Sequence, residues 1–274
     1  LERAGYPADD IDDIAYGDIA CRQIVGEAMG KLKCTVAYDG TRFSGYQVQP
    51  EKRTVQGEIE AALARIHHGT PIRITASGRT DSGVHAHGQV IHFCSSLRIA
   101  PENWTKALNS LLPDDIYIRQ TEKVEDGFHA RYDVRKKEYR YRLLTRPEPD
   151  LFRRFYTTHV QRPLDLNKMN EAARLICGTH DFSCFCAAHS EVKNKVRTVY
   201  LLDIAREGED ETVVRIVGSG FLYQMVRIIT GTLLDVGSGL IAPERVKTIL
   251  ASRDRRQASA TAPARGLILW KVDY

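Results

Sequence analysis

Ile72-Arg73-Ile74-Thr75-Ala76, then Ser77-Gly78-Arg79-Thr80-Asp81-Ser82-Gly83-Val84-His85, then Gln89-Val90-Ile91-His92-Phe93: the reading of this stretch decides the fold. Ile72, Ile74 and Ala76 alternate with Arg73 and Thr75, the period of a half-buried strand. Residues 89–93 resume a strand-like run, so the segment between reads as a tight loop joining two strands. An arginine and an aspartate sit two residues apart on it, between Gly78 and Gly83. Glycine adopts backbone angles that other residues resist and lets a ligand approach the main chain. A loop held by strands on both sides can fix a carboxylate in place. The same residues also fit a solvated turn with an Arg–Asp pair.

Upstream, residues 31–38 alternate as a strand that closes at Tyr38-Asp39-Gly40, followed by the aromatic loop Phe43-Ser44-Gly45-Tyr46-Gln47. Thr54 is placed to cap a helix with Val55, Ile59, Ala62, Leu63 and Ile66 on one face, and Gly69 to stop it. Downstream, residues 101–112 read as a helix with proline in its first turn. A short strand over 115–120 and a loop over 126–131, with the cationic candidates His129 and Arg131, follow. Residues 136–145 form the next strand, with Lys137, Tyr139, Tyr141 and Leu143 on one face and Glu138, Arg140, Arg142 and Leu144 on the other. A helix over 166–176 stops at Gly178. Strands over 196–205 and 211–217 are joined by Glu207-Gly208-Glu209-Asp210. Residues 220–236 read as a long apolar helix, 243–251 as another, and 267–272 as a closing strand. The order is β-α-β-β-α-β, then β-α-β-β-α-α-β. It predicts an α+β fold of two α/β-type lobes, 31–133 and 134–274, with a mixed, largely antiparallel sheet and a central catalytic cleft.

Residues 1–30 differ from the rest. They carry seven acidic and two basic residues, a balance of −5, and their apolar residues follow no period. They read as an acidic N-terminal extension, a short helix or a disordered tail, with Met29 as a candidate start. The other residues hold 37 basic and 28 acidic side chains, or +9, which suits a polyanionic partner. No apolar run approaches the ~20 residues of a membrane span, and no signal peptide is visible. Six cysteines without a C-x-x-C pair fit free, mostly buried thiols in a reducing cytoplasm.

Asp81 must stay ionised to act as a nucleophile or base near neutral pH, and a nearby guanidinium favours that form. Arg79 and the distant Arg227 are the candidates. Arg227 lies among Leu222, Val226, Ile228 and Ile229, so it either pairs with a carboxylate or snorkels to solvent. Tyr139 and Tyr141 are interleaved with Arg135, Lys136, Lys137, Arg140 and Arg142. That pattern fits an RNA surface, where cations take phosphates and an aromatic stacks on a base, and it also fits a basic strand with tyrosines in the core. His85, His87 and His92 near Cys94 match no familiar zinc spacing. No G-x-G-x-x-G or P-loop points to a nucleotide cofactor.

With these residues assembled, the chain resembles the tRNA pseudouridine synthase A family from about residue 31 to residue 274. The resemblance is carried by Gly78-Arg79-Thr80-Asp81-Ser82-Gly83-Val84-His85-Ala86, with Ser82 where alanine is common. Tyr38-Asp39-Gly40, Phe128-His129-Ala130-Arg131, Lys137-Glu138-Tyr139-Arg140-Tyr141, residues 220–227 and residues 262–274 support it. Tyr46 stands where the family often has tryptophan. The resemblance implies the pseudouridine synthase fold and an isomerase acting on uridines 38, 39 and 40 of the tRNA anticodon stem-loop. It further implies a homodimer with no metal and no cofactor. By the same resemblance Asp81 is the nucleophile, Arg227 its ion-pair partner and Tyr139 the ring that stacks on the target base. Arg79, Arg131 and Arg140 join Tyr139 in binding substrate.

Two rivals remain at this stage. A non-catalytic RNA-binding module would explain the basic patches, but not a carboxylate where phosphate must approach. An Asp-dependent hydrolase would want a second acid or base, such as His85 or His129.

Overall fold

Strand β1 (Gly30–Tyr38) buries Leu32, Cys34 and Val36 on one face, as its alternation requires. In the computed structural model, which describes residues 30–188 and 190–274, it is the middle strand of the first of two compact units. That unit comprises the described residues up to Ser82 together with Ala86–Val134, and the second comprises Gly83–His85 and Arg135–Tyr274. The expectations for the acidic extension up to residue 29 lie outside the described residues.

In the first unit β1 pairs antiparallel with β3 (His85–Ser95) on one side and with β4 (Ile116–Val124) on the other. Helix α1 (Val55–Ile66) begins where expected: the Thr54 side chain accepts the Gly57 N–H at 3.3 Å. Its buried face is Val55, Ile59, Ala62 and Leu63. Helix α2 (Pro101–Leu111) buries Trp104 and Leu108, with Trp104 edge-on to Phe93 at 5.3 Å. Filling this layer with large apolar side chains stabilises the unit by roughly 1.5–3 kcal/mol per fully buried residue.

The strand expected over 72–76 shrinks to β2 (Thr75–Ala76), which pairs with His92 and Ile91. The cause is local: the Ile74 N–H donates to the Glu60 carboxylate on α1 at 3.2 Å instead of to a ladder. β3 and β4 both outrun the expected strands.

In the second unit the strand order is β10 (Leu267–Asp273), β5 (Lys136–Leu144), β9 (Glu211–Gly218), β8 (Val196–Glu207), β7 (Gly178–Asp181), all neighbours antiparallel. The two-residue β6 (Thr158–His159) runs parallel to the end of β5, which makes the sheet mixed. β6 and β7 were not expected, because two and four residues are too few to show a period. Helix α3 (Leu166–Ile176) starts at Asp165, whose carboxylate accepts the Asn167 and Lys168 N–H groups. Helices α4 (Met225–Gly237) and α5 (Arg245–Ser252) complete the unit.

α4 starts five residues later than its apolar pattern predicts. Gln224 takes a left-handed backbone, φ 59°, and the helix begins only after it. Arg227 is therefore in the first helical turn. The segment leading to β10 then crosses α4 closely. A Cβ on Gly231 would lie 1.9 Å from the Ala260 carbonyl oxygen, so glycine is required at that crossing. Ser259 N–H donates to Thr232 Oγ1 at 3.3 Å and Ala262 N–H to the Arg227 carbonyl at 3.1 Å.

Among the described residues no helix is long and apolar enough to cross a membrane. Cys34, Cys177, Cys184 and Cys186 are free thiols, as expected. Cys94 departs from that expectation: it is disulfide-bonded, and a pairing outside a metal or redox motif leaves no spacing signal.

His92 gives this fold a pH dependence. It is buried, and its Nδ1 accepts the Ala130 N–H at 3.1 Å. Burial, then the neighbouring His129 and Lys31, lower its pKa to about 3. The unfolded chain binds a proton near pH 6.5 that the folded one refuses. The contribution is thus full above that pH and falls as pH drops toward 3. Between pH 7 and pH 5 this amounts to about 2 kcal/mol. Thermal melting should show this loss, and His92→Asn, which keeps an acceptor but cannot ionise, should flatten the slope across that window. An unchanged slope would contradict the assignment.

Candidate active site

The loop from Ser77 to Val84 is held at Ser77, Gly78, Thr80 and Ser82. Ser77 N–H closes it onto the Val90 carbonyl at 2.8 Å. Ser77 Oγ donates to Gln89 Oε1 at 2.6 Å, and Gln89 Nε2 donates to the Gly78 carbonyl at 2.8 Å. Gln89 is fully buried, so this amide must be satisfied, and the loop backbone satisfies it. Thr80 Oγ1 and the Tyr38 hydroxyl share a buried 2.8 Å bond. The Thr80 carbonyl accepts the Tyr46 N–H at 3.1 Å, and Ser82 Oγ donates to the Phe43 carbonyl at 3.1 Å. The backbone is thereby fixed on both sides of Asp81.

Gly45 completes the support. Its φ is 93°, and a Cβ there would lie 3.2 Å from the Thr80 carbonyl and 3.4 Å from the Ser82 nitrogen. The 43–46 loop can press this closely only with glycine. Asp81 itself is partly exposed and Arg79 is exposed, both on the same loop. Of the two flanking glycines only Gly83 adopts a positive φ, 77°. Burial raises the Tyr38 pKa well above the usual phenol range, partly offset by Thr80, so its hydroxyl stays protonated. Tyr46 is buried with its ring 6.3 Å from that of Tyr38, and its hydroxyl finds no hydrogen-bond partner. Such a group typically costs about 1–3 kcal/mol.

In the second unit Tyr139 lies on β5 between Ile216 and Leu269, edge-on to Phe221 at 5.3 Å and 89°. It is 9% exposed. Arg140 occupies the opposite face. Its Nε donates to Glu138 at 2.9 Å and its guanidinium lies 3.9 Å from the centre of the Trp270 ring. Burial raises the Glu138 pKa, but Arg215 and Arg140 more than offset this, and the carboxyl stays below its usual range.

Arg227 Nε donates to the Ala262 carbonyl at 2.8 Å, which orients the guanidinium. Its neighbours Val226, Ile228 and Ile229 are buried. Tyr141 shares that region, its hydroxyl 2.7 Å from both Thr158 Oγ1 and the Pro263 carbonyl. Burial pushes its pKa up to about 12, against the pull of Thr158, Arg227 and Arg265. Arg131, in the first unit, lies beside the Tyr132 ring at 5.9 Å.

The histidines are committed to backbone. His85 Nε2 donates to the Phe155 and Arg265 carbonyls at 2.9 and 3.2 Å. His129 Nδ1 accepts the Arg131 and Tyr132 N–H groups, both at 3.2 Å. Among the described residues no group of three or more His, Cys, Asp or Glu side chains is placed to hold a metal ion.

The sequence analysis missed Tyr38, Thr80, Ser77, Gln89 and Gly45 as the frame of the loop, and Ala262 as the acceptor that orients Arg227. Gln89 inside an apolar strand was the available signal, since a fully buried amide must find partners.

The family described as tRNA pseudouridine synthase matches residues 35–133 and 172–274. The tRNA pseudouridine synthase A of Bacillus subtilis (strain 168) is 56% identical over 245 residues, 89% of this chain and 99% of the relative. That of Geobacillus kaustophilus (strain HTA426) is 53% identical over 244 residues, 89% and 94% respectively. Among solved structures, a Cbf5-Nop10-Gar1 complex matches at 14% identity with a TM-score of 0.31, over 78% of this chain and 55% of that one. A likeness that distant carries no argument. The profile and the relatives do: the chain belongs to the tRNA pseudouridine synthase family, whose reaction is the isomerisation of uridine to pseudouridine in tRNA.

Proposed function

We propose that the chain modifies uridines 38, 39 and 40 of the anticodon stem-loop, with Asp81 as the catalytic carboxylate and without metal or cofactor. The observation that carries the reading is the anchoring of Thr80 and Ser82 on either side of Asp81. A carboxylate whose main chain is fixed loses little freedom on reaching the reactive geometry.

The chemistry needs little more. The C1′–N1 bond breaks, the uracil turns, C5 bonds to C1′, the C5 proton leaves to solvent, and N1 takes up a proton in its place. No electrons are gained or lost. The carboxylate assists by attacking C1′, adding at C6 or removing the C2′ proton; all three require it ionised. The base must first leave the stack, which costs a few kcal/mol. Tyr139 is proposed to stack on the extruded uracil, with Phe221 bracing its ring. Arg227 is proposed as the ion-pair partner of Asp81, a role supported by the family motif and by its half-buried place beside the buried Val226, Ile228 and Ile229. Arg79, exposed on the Asp81 loop, holds the gap left by the base. Arg131 and Arg140 contact the RNA backbone, Arg140 from a guanidinium already ordered by Glu138 and Trp270.

The rivals are weaker. A passive RNA binder has no use for a carboxylate that repels phosphate. A hydrolase needs a second acid or base, and His85 and His129 are both engaged by backbone groups.

The +9 body also fits a tRNA seated across two copies of the chain. Light scattering should give twice the 30.9 kDa chain mass; a fully active monomer would refute the dimer. We also propose a cytoplasmic setting, which the four free thiols favour and the Cys94 disulfide opposes; fractionation of expressing cells checks it.

The test of the site is Asp81→Asn on tRNA carrying tritium at uridine C5. Wild type should release tritium to water with no cofactor and with chelator present. The variant should release none while binding tRNA at least as tightly, since the lost charge repels phosphate. Its melting temperature must be measured alongside, because the proposed partner Arg227 would lose its counter-charge. Normal release by a folded variant would remove Asp81 from the chemistry.

A further inference from the structure

The segment from Asp150 to Tyr156 has no part in the site described above. Leu151 is 65% exposed, Phe152 92%, Phe155 41% and Tyr156 39%. Single exposed apolar residues need no explanation, but four within six positions form a patch, and patches mark interaction sites. The loop is also rigid. Asp150 accepts the Phe152 and Arg153 N–H groups at 2.8 and 3.1 Å. Arg153 donates to Asp150, Asp210 and Glu211 at 2.5–3.0 Å. A chain that needed only a solvated connection would not hold Phe152 out on so firm a base.

Three observations say what it meets. Of the four arginines in residues 146–162, Arg146 and Arg153 are paired to carboxylates, and the exposed Arg154 and Arg162 are the cations that suit a polyanion. The Arg154 guanidinium lies over the Phe155 ring at 4.3 Å, a cation–aromatic stack onto which a nucleobase can continue. The loop is also tied to the motif that carries Asp81. His85 Nε2 donates to the Phe155 carbonyl at 2.9 Å, and its ring lies 5.3 Å from that of Tyr156. Only four peptide units, at most about 14 Å of extended chain, separate His85 from Asp81. We infer that the loop is an RNA contact in which Phe152 stacks on an unpaired base of the tRNA close to the uridine being modified. The inference rests on the tRNA-modifying reading above.

The test compares Phe152→Ala and Phe152→Trp, each combined with Asp81→Asn so that binding is read without turnover. Affinity for unmodified tRNA is measured against salt concentration, and mass by light scattering. Phe152→Ala should bind about 5- to 150-fold more weakly, the range of one lost base stack. The slope of log affinity against log salt should not change, because no phosphate contact is lost. Phe152→Trp should bind as tightly as its parent. Unchanged affinity in the alanine variant, equal loss in both variants, or a fall in mass relative to the parent would overturn the inference; the last would make the patch a contact with a second copy. The two readings fail separately. Persistent turnover in Asp81→Asn alone sinks the active-site assignment, whereas normal binding by Phe152→Ala sinks only this one.

Discussion

A single buried hydrogen bond between the Tyr38 hydroxyl and Thr80 Oγ1, 2.8 Å long, carries much of what the first unit does. Tyr38 ends β1, the strand that β3 and β4 both need. Thr80 precedes Asp81, the proposed catalytic carboxylate. The bond therefore couples the centre of the sheet to the residue beside Asp81. Its net worth is only about 1 kcal/mol, but leaving either buried hydroxyl alone would cost more. The raised pKa of Tyr38 keeps its proton in place at any pH at which the enzyme works. Stability and geometry are here the same interaction.

The second unit solves a different problem, that of placing a cation against its own helix. Arg227 stands in the first turn of α4, where the helix dipole disfavours positive charge. Its neighbours are buried. The Ala262 carbonyl meets its Nε, and Ala262 can be there only because Gly231 lets the 259–262 segment lie on the helix. The glycine and the arginine, one helical turn apart on α4, thus belong to one device.

Much of this was legible in the sequence, and the failures have physical causes. Periodicity found β1, α1, α2, α3, β5 and β8 because each buries one face more than the other, and β9 by its β-branched run, although its first four residues are all buried. It overextended 72–76, where Glu60 takes a backbone N–H that a ladder would have used, and it began α4 too early, since Gln224 breaks the helix through a left-handed backbone that no pattern of hydrophobicity encodes. The chemical motif containing Asp81 was legible because its residue types are unusual together. Its frame was not, because Tyr38, Gly45 and Gln89 act through contacts between segments far apart in the chain. Arg140 shows the converse limit: a basic residue among tyrosines reads as an RNA ligand, and only the structure reveals Glu138 and Trp270 already holding it.

The account stands on one claim, that the fixed carboxylate of Asp81 serves to isomerise uridine within the anticodon stem-loop. Sequencing-based mapping of pseudouridine in unmodified tRNA, before and after incubation with the purified chain, tests it most directly. The account predicts pseudouridine at positions 38, 39 or 40, at no other uridine, and with the RNA chain intact. Pseudouridine elsewhere in the tRNA, cleaved RNA or an unchanged nucleoside content would contradict it.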